Sequence, residues 1–277
     1  MILREPCLPP GWYPRDRDKI GHFLEIFKKP GVCRAASAPH AGWYYSGLCA
    51  ASAVSSLKQD ADTVVVIGGH LGAGMPLLVA AEDGVKTPLG TMKMDEDLRE
   101  AFKSRTETRP DRYQDNTVEV LLPMVNYFFP HSELLWLRFP AEIDSFDAGK
   151  ILAECAVSTG RKIVVLASTD LTHYGSNYGF SPMGRGKAAL EWVKNVNDAA
   201  FISAVLEGDP NLVLERANKD FSSCSAGAVL GALGFAAEEG LTERRLLDYR
   251  TSADMKDDFT GTDVPDSFVG YAAIGIS

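Results

Sequence analysis

Apolar positions fall in two patterns along this chain: short unbroken blocks, and longer stretches with helical spacing. Residues 63–68 (TVVVIG) form the clearest block. It is β-branched and apolar throughout, as a strand covered on both faces requires. Residues 162–167 (KIVVLA) repeat it, and 33–38 and 134–139 are further strand candidates. Between them, 18–29 places Ile20, Phe23, Leu24 and Phe27 on one helical face, and 47–57 is a small-residue helix suited to close packing on a sheet. Helices are predicted over 95–103, 118–128, 147–157, 186–206, 211–216 and the Ala/Gly-rich stretch 224–239. A hairpin is predicted from 77–81 with a turn at 82–84, and 245–250 and 267–276 close the chain as strands.

Strands alternating with helices over the whole length predict an α/β fold: a central, mostly parallel or mixed sheet with helices on both faces. No linker or repeat divides the chain, so residues 1–277 are expected to form a single domain. The first sixteen residues hold four prolines and read as an extended lead-in.

Composition narrows the partners. The formal net charge is −9 with a pI near 5.1, and no basic patch stands out. Such a chain repels phosphate backbones, so nucleic acid is excluded as a main partner. No apolar run reaches the roughly 20 residues needed to span a bilayer. The start, MILREPCLPPGWYPRDRD, mixes Arg and Glu and lacks a signal-peptide apolar segment, so a cytoplasmic location without membrane contact is expected. The five cysteines are scattered without a CxxC, which argues against a disulfide framework.

The chemistry-bearing residues sit where strands end. His40 follows the strand at 33–38, His70 follows TVVVIGG, and Asp170 and His173 follow KIVVLAS. In open α/β sheets the ligand crevice lies outside the carboxyl ends of the strands. Three strand ends thus deliver two histidines and an Asp/His pair to one edge. His22 and His131 read as surface or turn residues. Around His40, Trp43, Tyr44 and Tyr45 either wall a pocket or belong to the core. The glycines of GGHLGAGMP form no nucleotide fingerprint and are expected to let the backbone pass close to a bound ion or substrate. Cys224 opens an apolar helix, where the helix dipole favours a thiolate. That suits a metal ligand or a nucleophile, and equally a small buried hydrophobe. Asn116 and Glu119, in DNTVEVLLP, read locally as a helix start with an acid in its first turn.

Taken in order, APHAGWYYSG, VVVIGGH, KTPLG, DNTVEVLLP, ASTDLTHYG and the Cys224 helix resemble the Memo family, which also supplies protein B of the AmmeMemoRadiSam gene arrangement. The resemblance covers essentially the whole chain. Memo proteins are in turn similar to the catalytic subunits of class III extradiol dioxygenases, which bind non-haem Fe(II); this implies a phosphorylase/LigB-like architecture. By that resemblance His40, in P-H-A-G, and His70 are metal ligands, although the family's second element more often reads GPSH or GPNH. Cys224 takes the place of the dioxygenase carboxylate ligand. His173 is the acid/base group, Asp170 belongs to the same element, and Glu119 matches a family Glu. Asn116 stands where many members carry a pocket-lining His, and an amide cannot shuttle a proton near neutral pH.

Two imidazoles and a thiolate suit Fe(II), Zn(II) or Cu better than Mg(II) or Ca(II). The expected function is redox or oxygenase-type chemistry at a mononuclear site on an unknown small molecule, with His173 moving a proton and Asp170 orienting its ring. Trp43, Tyr44, Asn116, Glu119 and Tyr174 are expected to line the substrate pocket, Tyr44 and Tyr174 lending hydroxyls. Two alternatives carry different chemistry. One is a hydrolase, with Cys224 and His173 as nucleophile and base or with Zn(II)-activated water. The other is a non-enzymatic adaptor that binds peptides in the same pocket. Family gene arrangement implies a protein A-like or radical-SAM partner.

Overall fold

The computed structural model describes residues 1–255 and 264–277. In chain order its strands are β1 (Leu3–Arg4), β2 (Ala35–Ala38), β3 (Thr63–Leu71), β4 (Leu77–Val79), β5 (Gly84–Thr87), β6 (Gly90–Lys93), β7 (Thr108–Pro110), β8 (Glu133–Pro140), β9 (Ile163–Ser168), β10 (His173–Gly175), β11 (Arg244–Thr251) and β12 (Ser267–Ile276). Four of them, in spatial order β2-β9-β3-β8, run parallel and form the centre of a mixed sheet. On one side β12 pairs antiparallel to β2 and carries both β10 and β11. On the other, β4 pairs antiparallel to β8 and holds β7 at the edge. The expectation of a mixed α/β sheet is met.

Alternate residues of the central strands face opposite sides, and both sides are buried. Val65, Ile67, Leu135, Leu137 and Val165 pack with residues of the helices Asp144–Thr159, Asp198–Glu207 and Ala226–Glu238. Val64, Val66, Leu134, Trp136 and Val164 pack with residues of Trp43–Ser56 and Leu122–Phe128. This is why these strands read as apolar runs without alternation. No helix among the described residues is long and apolar enough to cross a membrane.

The Asp144–Thr159 and Ala226–Glu238 helices approach backbone to backbone. A Cβ at Gly149 would overlap the Gly231 carbonyl oxygen, and one at Gly234 would overlap the Phe146 carbonyl oxygen. The Ala/Gly-rich composition of 226–238 is thus a packing requirement, and it fixes where the residues just before that helix stand.

Several elements depart from expectation. The strand at 77–79 is no hairpin arm: β4 joins β8 and β7, and the hairpin is β5–β6, which with β1 forms a separate three-stranded sheet. The helix expected over 118–128 is two, Asn116–Glu119 and Leu122–Phe128, with Pro123 in the first turn of the second. Pro is accommodated there because its missing N–H has no intrahelical partner anyway. The helix expected over 186–206 contains a π-helical turn at Val193–Asn197.

Candidate metal centre

β2, β9 and β3 are hydrogen-bonded neighbours, so their carboxyl ends present adjacent residues at one edge. Beyond β2, the His40 backbone N–H donates to Asp170 Oδ1 at 2.7 Å, and its carbonyl accepts from Asn116 Nδ2 at 3.0 Å. Its ring Nδ1 lies 2.9 Å from Ser168 Oγ, at the end of β9. A fully buried imidazole is thereby fixed from three sides.

His70 is held differently. Its φ is 57°, a left-handed conformation unusual for a residue with a Cβ. Its N–H donates to Ser225 Oγ (3.2 Å), and its ring Nδ1 donates to Asp115 Oδ2 (3.0 Å). Asp115 is in turn paired with Arg138 at 3.2 Å, whose guanidinium also holds the Gly69 carbonyl. The preceding glycines are explained by these supports: a Cβ at Gly68 would overlap Thr117 Oγ1, and one at Gly69 would overlap the Ser225 side chain. They serve close approach of protein to protein, where the sequence suggested approach to an ion or substrate.

Cys224 stands just before the Ala226–Glu238 helix, its N–H donating to the Asp170 carbonyl at 3.3 Å. Its Sγ is 3.3 Å from His40 Nε2, which is 3.2 Å from His70 Nε2. All three atoms lie within 4.8 Å of one another. Ligands bound to one tetrahedral ion at 2.0–2.3 Å are separated by about 3.3–3.6 Å. Two of the three separations match that spacing and the third is within 4.8 Å, so the donor set could hold a single transition-metal ion, with Asp115 on His70 Nδ1 as an outer carboxylate partner.

Electrostatics agree with this arrangement. Burial alone would raise the Cys224 thiol; His40 and His70 outweigh it and hold the thiol well below its ordinary value. Burial likewise disfavours a charged His70, but Asp115 and Cys224 push it up to about 10. His40 is raised by Asp170 and Cys224 against its burial. Desolvation raises Asp170, partly offset by His40. A cavity of about 570 Å³ opens onto His40, His70, Asp170 and His173.

Comparison with known proteins settles the kinship. The sequence profile of the family described as "Memo-like protein" matches residues 4–275. The chain belongs to the Memo family. It is 30% identical to a MEMO1 family protein of Pyrococcus abyssi and 29% identical to one of Pyrococcus furiosus, covering 98–99% of each chain. A solved structure of an uncharacterized protein from Escherichia coli K12 overlaps with a TM-score of 0.44 and 14% identity, covering 88% of this chain and 100% of that one. That likeness is too loose to bear on function.

In this Memo chain His40, His70, Asp170, His173 and Asn116 all border the cavity. Four residues expected there are elsewhere. Trp43 is buried in the core, its Nε1 donating to the Val120 carbonyl at 2.9 Å. Tyr44 is half exposed, edge-on to Tyr45. Glu119 is buried beneath the N-terminal segment, accepting from the Cys7 and Leu8 N–H groups and from Tyr13 Oη. Tyr174 is buried against Phe268 with its hydroxyl on the Gly184 carbonyl. Successive side chains on a strand point to opposite faces, so if His173 borders the cavity, its neighbour Tyr174 does not. The aromatic wall is Trp12, Tyr45, Tyr178 and Tyr271. Nor does Asp170 orient the His173 ring by hydrogen bonding: its Oδ1 is taken by His40, and the His173 Nδ1–H donates to the Leu171 carbonyl at 3.0 Å.

Proposed function

We propose that this Memo chain binds one divalent transition-metal ion, iron(II) foremost, through His40, His70 and Cys224, and uses it in redox or oxygenase-type chemistry on a small substrate admitted by the cavity. The observation that carries the reading is the spacing of Nε2, Nε2 and Sγ, drawn from distant parts of the chain yet matched to one coordination sphere. Three protein ligands leave further positions open, the layout of a reactive rather than a structural site. A bound iron or copper ion would supply Lewis acidity and one-electron chemistry.

The residues do the rest. Cys224 presents a thiolate, and Asp115 fixes the His70 tautomer so that Nε2 is the free donor. The His173 Nδ1–H is held on the Leu171 carbonyl, which leaves Nε2 as the ring nitrogen that can serve as a base for a substrate hydroxyl in the cavity. Trp12, Tyr45, Tyr178 and Tyr271 form the wall around it. Asn116 holds the His40 carbonyl and takes no part in proton transfer. The contact of Cys224 with both imidazoles supports a ligand role over a nucleophile paired with His173.

The direct test is metal analysis of protein purified without oxygen, with anomalous scattering at the iron, copper and zinc edges. One ion between the three donor atoms is expected; protein fully loaded at another position overturns the reading. Two further outcomes follow. Asp115→Asn is expected to weaken metal binding about 10–100-fold in chelator competition, the usual cost of losing an outer carboxylate partner. Uptake at pH 7 is expected to expel protons, because His70, held up to about 10, is protonated when metal-free. For that proton, affinity rises about tenfold per pH unit from 7 until the His70 value is passed. Calorimetry in buffers of different ionisation enthalpy reads the release, and identical heats in all buffers would contradict it.

A further inference from the structure

His173 is the acid–base group of the proposed site, yet among the described residues no carboxylate hydrogen-bonds its ring. Its Nδ1–H donates to the carbonyl of Leu171. The N–H of that same peptide unit belongs to Thr172, and it donates to Asp198 Oδ1 at 3.1 Å. One peptide group therefore stands between a buried carboxylate and the imidazole, its N–H on the first and its C=O on the second. We propose that Asp198 is the positioning residue for His173, acting through the Leu171–Thr172 peptide to fix its ring and tautomer.

The surroundings are built to hold this peptide in one orientation. The Thr172 hydroxyl donates to Asp198 Oδ1 and accepts from Asn197 Nδ2 (2.9 Å), which also reaches the Asp220 carbonyl. Tyr249 Oη donates to Asp198 Oδ2 at 2.7 Å. Leu171 N–H and the Thr172 carbonyl both bond Gly270 of β12, and a Cβ at Gly270 would overlap Asp198 Oδ2. Asp198 itself follows directly on the π-helical turn at Val193–Asn197, a rare irregularity that often marks functional sites.

The chemistry follows from hydrogen-bond polarisation. A carboxylate on the N–H draws the amide proton and leaves its carbonyl a stronger acceptor, and chains of such bonds reinforce one another away from water. The stronger acceptor retains the proton on Nδ1 and leaves Nε2 free, the task a carboxylate performs by direct contact in a Ser-His-Asp triad. Asp198 is fully buried, which pushes its carboxyl up to about 6 against the pull of Thr172 and Tyr249. Among the described residues no cation lies at hydrogen-bonding distance from this buried carboxylate, a costly arrangement to which the relay gives a use.

The inference rests on the assignment of His173 as the acid–base group, but its test needs neither turnover nor substrate. The probe is the full chain loaded with diamagnetic Zn(II), its histidine rings labelled with ¹⁵N and His173 assigned through His173→Gln. Long-range ¹H–¹⁵N correlation then reads the tautomer of the neutral ring. The wild type is expected to hold the proton on Nδ1. Asp198→Asn is expected to lose that dominance in favour of Nε2–H. Thr172→Val, a milder change that keeps the N–H but removes the hydroxyl locking Asp198, is expected to shift the same way by a smaller amount. Tyr249→Phe, which loosens only the far oxygen, is expected to lower thermal stability and leave the tautomer alone. A wild-type ring with its proton on Nε2 overturns the proposal without any variant, as does a folded Asp198→Asn or Thr172→Val protein with the wild-type tautomer. Loss of the relay with zinc still bound at the three donors would separate this result from a failure of the metal assignment.

Discussion

Cys224→Ser is expected to lower affinity for iron(II) or zinc(II) by more than about 100-fold, beyond the 10–100-fold usual for an outer partner. The substitution replaces a soft anionic ligand by a hydroxyl that stays protonated. It also removes the negative charge that helps to raise both imidazoles. What remains is two histidines, one of them already committed through Nδ1 to Asp115. The fold should tolerate the change, because the Cys224 backbone, not its sulfur, bonds Asp170. The checks are metal content after anaerobic purification, chelator competition and thermal melting of the metal-free forms. Variant and wild-type proteins that carry equal metal would remove sulfur from the coordination sphere.

Gly234→Ala is expected to destabilise the fold by about 3 kcal/mol, at the upper end of overpacking costs. The new Cβ would overlap the Phe146 carbonyl oxygen, which is backbone and cannot rotate away. The two helices would have to separate, loosening the apolar layer on that side of the sheet. For a chain of this size each kcal/mol lowers the midpoint by roughly 2–4 °C, so a drop of about 6–12 °C is anticipated in calorimetry. Gly72→Ala is the matched control: open space surrounds its Cβ position, so a change within about 0.5 kcal/mol is expected. Similar melting points for the two variants would show that the interhelix contact is not what limits stability. Because Cys224 and Ser225 directly precede the displaced helix, metal affinity should fall together with stability.

The buried parallel strands were legible in the sequence because both of their faces need apolar side chains. That pattern alone places His40, His70, Asp170 and His173 at one edge. The three-residue strands Thr108–Pro110 and His173–Gly175 were not legible, since they are too short for a period to show and exist only through their pairing partners. The supporting groups were hidden for a related reason. Asp115 or Asn116 reads as an N-cap; Asp115 fills that role toward Thr117, and nothing local reveals that its other oxygen serves His70. Asp198 sits mid-helix in a polar run, where burial cannot be inferred. Trp43 and Glu119 illustrate the opposite error: both were expected in the pocket, but Trp43 bonds the Val120 carbonyl in the core and Glu119 is covered by the N-terminal segment, contacts with residues distant in sequence that nothing local reveals.

The left-handed backbone at His70 sets two selective demands against each other. A side chain in that conformation costs about 1–2 kcal/mol relative to glycine, the residue for which it is ordinary. A search for heat-resistant variants that scored only folding would therefore be drawn to glycine at position 70, and in gaining robustness would discard an imidazole of the candidate metal centre. Directed evolution of this scaffold would need to screen for metal retention in the same round as for thermal tolerance.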